Sequence, residues 1–269
     1  MKRVIAIIAT RDRPKLLENA VLSALNQTLK ACEIIVSSDS IEENFESEKA
    51  LIKGKATLIR NKYAHNYGGN LNTAIDYLLE EHLGDKTFSY EETYLAFLDD
   101  DDAWHADYLE RCVAELKPDV DMVVGLIHYL ADGKDFILDL PEELNQKSFL
   151  AVNPHVQGSN TFIRLKTLLM AGAFDEGISS TTDRDFFTRV MMLNPKVAYI
   201  PRPLLDVDAH DDRPRLTNSS SGKKKSLAYF YSKYAGIMDE NIEEAFFKRA
   251  LRYTDLIKDE VANQIPQWE

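Results

Sequence analysis

Between Val4 and Leu98 the chain alternates continuous apolar runs with apolar residues at helical spacing, and this alternation narrows the fold before any motif is considered. Val4 to Ala9 is apolar without interruption, as expected of a strand covered on both faces. Thr10-Arg11-Asp12-Arg13 breaks the run, and Pro14 stands where a helix begins. Leu16, Leu17, Ala20, Val21, Ala24 and Leu25 then recur at helical spacing and give one apolar face. Glu33 to Val36 and Ala56 to Ile59 read as further strands. Leu71, Ala74, Ile75, Leu78 and Leu79 mark a helix before the strand Tyr94 to Leu98. Strands separated by helices imply right-handed crossovers and a parallel sheet. Ligands of such sheets bind at the carboxyl ends of the strands, where Thr10–Arg13, Ser37–Asp39 and Asp99–Asp102 all fall.

After about residue 118 the pattern changes. Val120 to Leu130 and Phe136 to Leu138 read as strands around the turn Asp132-Gly133, an antiparallel addition. Asn160 to Ile163 is a further strand leading into a short helix, Leu165 to Ala171. Asp183 to Leu193 is a helix with Phe186, Phe187, Val190 and Met191 inward. His210 to Gly222 is polar and reads as a mobile loop. Ile242, Ala245, Phe246, Ala250, Tyr253 and Ile257 lie on one face of a C-terminal helix, which packs on the domain or on a second copy of the chain.

The net charge of -12 argues against a nucleic-acid surface, since phosphate backbones need clustered Lys and Arg. No apolar stretch approaches the roughly 20 residues of a membrane span. Met1-Lys2-Arg3-Val4 passes straight into the first strand, so the expectation is a cytoplasmic protein. Cys32 and Cys112 are far apart and suggest neither a disulfide framework nor a metal pair.

The acidic run Asp99-Asp100-Asp101-Asp102 follows a buried strand directly. Adjacent carboxylates repel one another, and oxygen ligands on a short turn suit a hard ion such as Mg²⁺ or Mn²⁺. Mg²⁺ favours one or two carboxylates plus substrate phosphates, so the run points to a phosphorylated substrate as well. In extended chain Asp99 and Asp101 face one side, with Asp100 and Asp102 on the other. Asp102 is expected to cap the helix that begins near His105.

Several segments carry a resemblance. Ala6 to Pro14, Ala20 to Thr28, Glu33 to Asp39 and Tyr94 to Trp104 resemble, in order, the nucleotide-binding half of a family 2 glycosyltransferase. Gly158-Ser159-Asn160, Gly172 to Glu176 and Thr182-Asp183-Arg184-Asp185 resemble its acceptor half. The resemblance implies an α/β fold of GT-A, Rossmann-like type. Its mostly parallel central sheet would be flanked by helices, with a small antiparallel addition and a helical C-terminal extension. Residues 1–222 would form the catalytic domain, divided at 118/119 into nucleotide and acceptor halves, and 223–269 the extension.

The implied activity is inverting transfer of a sugar from a nucleoside-diphosphate sugar to a carbohydrate or other hydroxyl acceptor. Asp101 and Asp99 match the metal-binding positions and Asp100 the ribose contact. Thr10, Arg13 and Asp39 match the rim that holds the base, and a carboxylate such as Asp39 favours uracil and hence UDP. Asp183 matches the general base, with Asp185 as fallback; Thr182 replaces the family's usual Glu before it. His210, beyond the matched segments, stands at a place comparable to a further metal ligand of some members of the fold, and Arg213, Arg215 and the Lys223-Lys225 run could neutralise the diphosphate. Ser38 stands where the family often has an acid. Asn66 to Ile75 resembles the family's Asn- and Gly-rich helix start in more compact form. His155 and Gln157 face the acceptor, whereas His65 is a local hydrogen-bonding residue. The alternatives are a non-catalytic carbohydrate-binding or scaffold protein of the same fold, and a sugar nucleotidyltransferase. The latter usually has a Gly-rich loop after its first strand, which Thr10 to Pro14 lacks.

Overall fold

The computed structural model describes residues 2–131, 134–208 and 220–261. Its first half contains β1 (Arg3–Thr10), α1 (Pro14–Leu25), β2 (Glu33–Ser38), α2 (Glu42–Ile52), β3 (Thr57–Arg60), α3 (Tyr67–Glu81) and β4 (Thr93–Asp99). Then come β5 (Asp102–Trp104), α4 (Tyr108–Ala114), β6 (Met122–Ala131), β7 (Lys134–Leu138), α5 (Gln146–Ala151) and β8 (Thr161–Arg164). The chain continues with α6 (Leu165–Met170), α7 (Thr182–Met192), β9 (Val197–Asp208), α8 (Ser220–Tyr234) and α9 (Glu240–Ala250).

Among the described residues one nine-stranded sheet runs β3-β2-β1-β4-β8-β6-β9-β5, with β7 paired to β6. β1 lies parallel to β2 and β4, and β2 parallel to β3. β8 is antiparallel to both β4 and β6, while β9 runs parallel to β6 and antiparallel to β5. The expected α/β architecture, mostly parallel with an antiparallel addition and C-terminal helices, is thus observed.

Alternation along β1 builds two cores. Val4, Ala6 and Ile8 pack on one face with residues of α1 and α4, while Ile5, Ile7 and Ala9 pack on the other with α3 and α7. Register then brings the polar strand ends together, because Ala9 pairs with Asp99 and Thr10 with Ser38. A third core joins Leu150 of α5 to Leu227, Phe230, Ile242 and Phe246 of the C-terminal helices. The apolar face of those helices is therefore covered by the same chain. No described helix is long and apolar enough to cross a membrane.

Three expectations are corrected. Asp102 opens β5 rather than capping a helix; Asp102, Ala103 and Trp104 pair with β9, and α4 starts only at Tyr108. The C-terminal helix stops at Ala250, leaving Tyr253 and Ile257 about half exposed. Residues 220–222, expected in the loop, form the first turn of α8, so the boundary at 222 falls inside that helix. Val197 to Asp208, left unassigned above, is a twelve-residue strand. Its Pro201 and Pro203 sit at a bulge, where the register slips from Gly125–Ile200 to Leu126–Pro203 and Ile127–Leu205. The turn Asp132-Gly133 lies outside the described residues.

Candidate active site

A cavity of about 250 Å³ opens at the carboxyl ends of β1, β2 and β4, and Asp39, Asp99, Asp101 and Asp183 line it. The acidic run divides as strand alternation requires, with the Asp100 carboxylate wholly buried and that of Asp101 exposed to the cavity. Asp100 Oδ2 accepts from Thr10 Oγ1 at 2.6 Å, and Asp100 Oδ1 lies 2.7 Å from Arg13 Nη2. Burial pushes the Asp100 carboxyl up to about 7, against the opposing pull of Arg13 and Thr10. Asp100, expected at the ribose, is thus also among the residues lining the cavity while its carboxylate is engaged by Thr10 and Arg13. It anchors Arg13, whose other nitrogen donates to Asp101 Oδ2 at 3.0 Å. Thr10 is likewise buried beneath the cavity, its carbonyl accepting from Asn70 Nδ2.

On the far side of the run, Tyr67 Oη donates to Asp99 Oδ1 at 2.6 Å. Tyr67 opens α3, whose N-cap is Asn66 with its side chain on Gly69 N–H at 2.9 Å. A Cβ on Gly69 would lie 2.3 Å from the Ala64 carbonyl oxygen, so this helix start tolerates no side chain there. The Asn- and Gly-rich segment is thus a platform that aims Tyr67. Sequence reasoning passed over Tyr67, although the Asn66–Gly69 cap that positions it was visible.

Asp183 lies in the first turn of α7 and accepts from Gly158 N–H at 3.3 Å. Desolvation pushes its carboxyl up to about 7, with the charge of Asp99 adding to the rise and the Gly158 hydrogen bond opposing it. Burial and the same two carboxylates hold the Tyr67 phenol well above its usual range, so it stays a donor. Asp185 is turned away. Its buried carboxylate meets Arg189 at 2.8 Å, Lys233 at 2.7 Å and Tyr234 Oη at 2.8 Å.

At the other end of the cavity Asp39 Oδ1 accepts from Asn61 Nδ2 at 3.0 Å and lies 2.7 Å from His65 Nδ1. His65 is thus the local hydrogen-bonding residue expected. Asp39 Oδ2 is buried with no hydrogen-bond donor; Arg11 stands 3.6 Å away. Ser38 does not face the cavity, because its hydroxyl joins that of Ser40 on the buried carboxylate of Glu48. Gln157 lines the cavity and donates to Asp102 Oδ2 at 3.2 Å. His210, Arg213 and Arg215 lie outside the described residues.

For a divalent ion the donor set fits one particular case. Asp99 and Asp101 both line this single cavity, and Asp101 meets Arg13 through Oδ2. Three protein ligands among the described residues do not converge here. Among the described residues that occurs only at His105, His128 and Asp206, where both imidazoles lie within 2.9 Å of Asp206 Oδ1. The acidic turn therefore suits an ion that completes its shell with substrate phosphate.

A 23% identical "Uncharacterized glycosyltransferase" of Rickettsia felis aligns over 200 residues, 70% of this chain and 31% of that protein. The "GalNAc(5)-diNAcBac-PP-undecaprenol beta-1,3-glucosyltransferase" of Campylobacter jejuni is 27% identical over 189 residues, 65% of this chain and 56% of its own length. This chain thus spans only about a third to a little over half of those relatives. S. aureus TarS, solved in complex with UDP-GlcNAc, superposes with a TM-score of 0.65 at 14% identity, covering 98% of this chain and 82% of that one. A mannosyltransferase of Pyrobaculum calidifontis, solved with GDP-Man and Mn2+, gives 0.59 at 16% identity over 92% and 69% of the two chains. These structures establish a shared GT-A fold. The family model "Glycosyl transferase family 2" matches residues 5–182, and with the greater part of its length so matched the chain belongs to that family.

Proposed function

We propose that this protein moves a sugar from a nucleoside-diphosphate sugar to a hydroxyl acceptor with inversion. The observation that carries the reading is geometric: Asp183, whose carboxyl burial pushes up to about 7, faces the same cavity as Asp99 and Asp101. Inversion needs a base on the face opposite the leaving group, and a base titrating near neutrality both accepts and releases a proton readily. Asp183 would take the proton of the acceptor hydroxyl at its carboxylate oxygen. Gly158 N–H holds Asp183 Oδ1, and Tyr67 holds Asp99, so neither group must reorganise as charge develops.

Mn²⁺ or Mg²⁺ held by Asp99 and Asp101 would neutralise the diphosphate as a Lewis acid. UDP is favoured because Asp39 Oδ2, buried and without a hydrogen-bond donor, can accept the imide proton of uracil. Two fold neighbours were solved with nucleotide sugars, one with Mn2+, which supports the donor class. Calorimetry of UDP, GDP and dTDP with and without Mn²⁺, on wild type and Asp101→Ala, tests the reading. UDP should bind most tightly, with Mn²⁺ enhancing it only in wild type. Equal binding by both proteins, or none by either, overturns the metal–diphosphate assignment.

A further inference from the structure

A second cavity, of about 460 Å³, lies beside the first and shares Gln157 and Thr181 with it. Consecutive residues at the start of α7 divide between the two: Asp183 lines the first and Arg184 the second. Arg184, Lys223 and Arg249 line this second cavity, and among the described residues no carboxylate does. For a chain of net charge -12 that local concentration of cations calls for a cause.

Arg184 is only 4% exposed. It donates to the carbonyls of Phe149 at 3.0 Å and Leu150 at 2.9 Å, and lies over the rings of Phe230 and Phe246. All of those partners are uncharged. Arg249 lies over the Tyr253 ring at 5.5 Å, and neither arginine makes an ion pair with a described residue. Burial and the neighbouring Arg249 lower Arg184 to about 9, and the same two causes lower Lys223. A buried guanidinium with no counter-charge is costly, and a bound anion removes that cost. The remaining walls, including Ile127, Leu227 and Phe246, suit a carbon skeleton.

We propose that this second cavity binds a phosphate ester carried by the acceptor. Arg184 and Arg249 are two guanidinium groups facing one cavity without an ion pair to a described residue, and guanidinium forks match the oxygens of a phosphate. Because Arg184 follows Asp183, an acceptor anchored here by its phosphate presents a neighbouring hydroxyl to the base across Gln157 and Thr181. The word acceptor rests on the transferase reading above; binding of the phosphate does not.

The test is titration of the ¹⁵N-labelled protein, in EDTA, with glycerol 1-phosphate, glycerol and inorganic phosphate. Wild type, Arg249→Gln and Lys223→Gln are compared. Both substitutions fall on partly exposed side chains, and melting curves verify that each variant is folded; Arg184 is left intact because its contacts hold α5. Glycerol 1-phosphate should bind wild type and shift amides of α7, α8 and α9, glycerol should not bind, and each variant should bind about tenfold more weakly. UDP affinity, read separately with Mn²⁺ in place of EDTA, should match in all three proteins. Equal binding by wild type and variants, no binding at all, or displacement by UDP overturns the inference. Inorganic phosphate binding as tightly as the ester overturns its acceptor part. If the ester binds in EDTA and UDP fails to bind even with Mn²⁺ supplied, the donor reading falls and this cavity stands; the reverse result removes the cavity alone.

Discussion

Arg13 Nη1 lies 3.0 Å from Asp101 Oδ2, so the carboxylate proposed to hold a divalent ion already faces a monovalent one. Nη2 of the same guanidinium reaches Asp100 Oδ1 at 2.7 Å. One planar fork therefore holds the acidic turn in its alternation, with Asp100 inward and Asp101 toward the cavity. An ion arriving at Asp101 must share that side chain with Arg13 or displace it.

Arg13→Lys keeps the charge but replaces the fork with a point charge that cannot span both carboxylates. The variant should lose about 1–3 kcal/mol of stability as Asp100 is left partly unpaired. Mn²⁺-dependent nucleotide binding should weaken about tenfold as Asp101 loses its orientation. Chemical denaturation and calorimetry read the two effects, and wild-type values in both would show that the fork does not hold the turn.

Asp183→Asn should abolish transfer while leaving nucleotide binding intact. It should also stabilise the protein at alkaline pH. The carboxyl is raised from its usual 3.8 to about 7, so the folded chain retains a proton that the unfolded chain has released. Stability from this group therefore falls as pH rises from about 4 to about 7 and is flat above. Asn carries no charge and escapes that loss. In EDTA the variant should melt a few degrees above wild type at pH 8 and close to it at pH 4.

The same ionisation should govern rate. Asp183 must be a carboxylate to accept a proton, so transfer should fall on the acid side along a single-proton limb centred at or below about pH 7. The Asp99 charge contributes to the rise, so Asp99→Asn should move the Asp183 titration downward, as read from its carboxyl ¹³C shift in metal-free protein. A midpoint that stays put would mean burial alone sets the value.

How far this site was legible follows from what sequence spacing encodes. β1, β4 and α7 were readable because each shows one strong period over its whole length, and the strand ends at Thr10, Asp39 and Asp99 then fell on one rim by topology. β9 was not, because its two prolines look like breakers until the bulge against Gly125–Ile127 is seen. Asp102 was misassigned because a four-residue run conceals the short strand that follows it. Asp100 matched a ribose position by family pattern, but only the fold shows Thr10 and Arg13 closing over its carboxylate. Tyr67 and the Arg184–Arg249 pair are contacts across long stretches of chain, and no local pattern encodes these.

Gly158 couples the two halves of the site. A Cβ there would lie 3.1 Å from Tyr67 Oη and 3.3 Å from Phe97 Cβ, while its N–H serves Asp183. Gly158→Ala should cost about 1–3 kcal/mol through overpacking, and it should lower kcat because Tyr67 and Asp183 shift together. Tyr67→Phe removes only the hydroxyl on Asp99. Its stability cost should be about 1 kcal/mol, with weaker Mn²⁺-dependent UDP binding as the sharper signal. A Gly158→Ala enzyme with wild-type kcat would separate Tyr67 from the chemistry.

Asp185 offers the contrast that supports the proposed choice of base. Its carboxylate is wholly buried and faces two cations, Arg189 on its own helix and Lys233 on α8, together with Tyr234 Oη. Lys233 also bonds Asp175 at 2.7 Å, so Asp185 is the counter-charge that fastens the C-terminal helices to α7. Asp185→Asn leaves both cations short of a partner, which typically costs about 3–5 kcal/mol. The loss should appear without dependence on metal or nucleotide, and UDP affinity per folded molecule should be unchanged. Asp183→Asn thus gains stability and loses transfer, whereas Asp185→Asn loses stability and retains transfer in its folded fraction. An active Asp183→Asn enzyme beside a stable, inactive Asp185→Asn enzyme would move the base to Asp185.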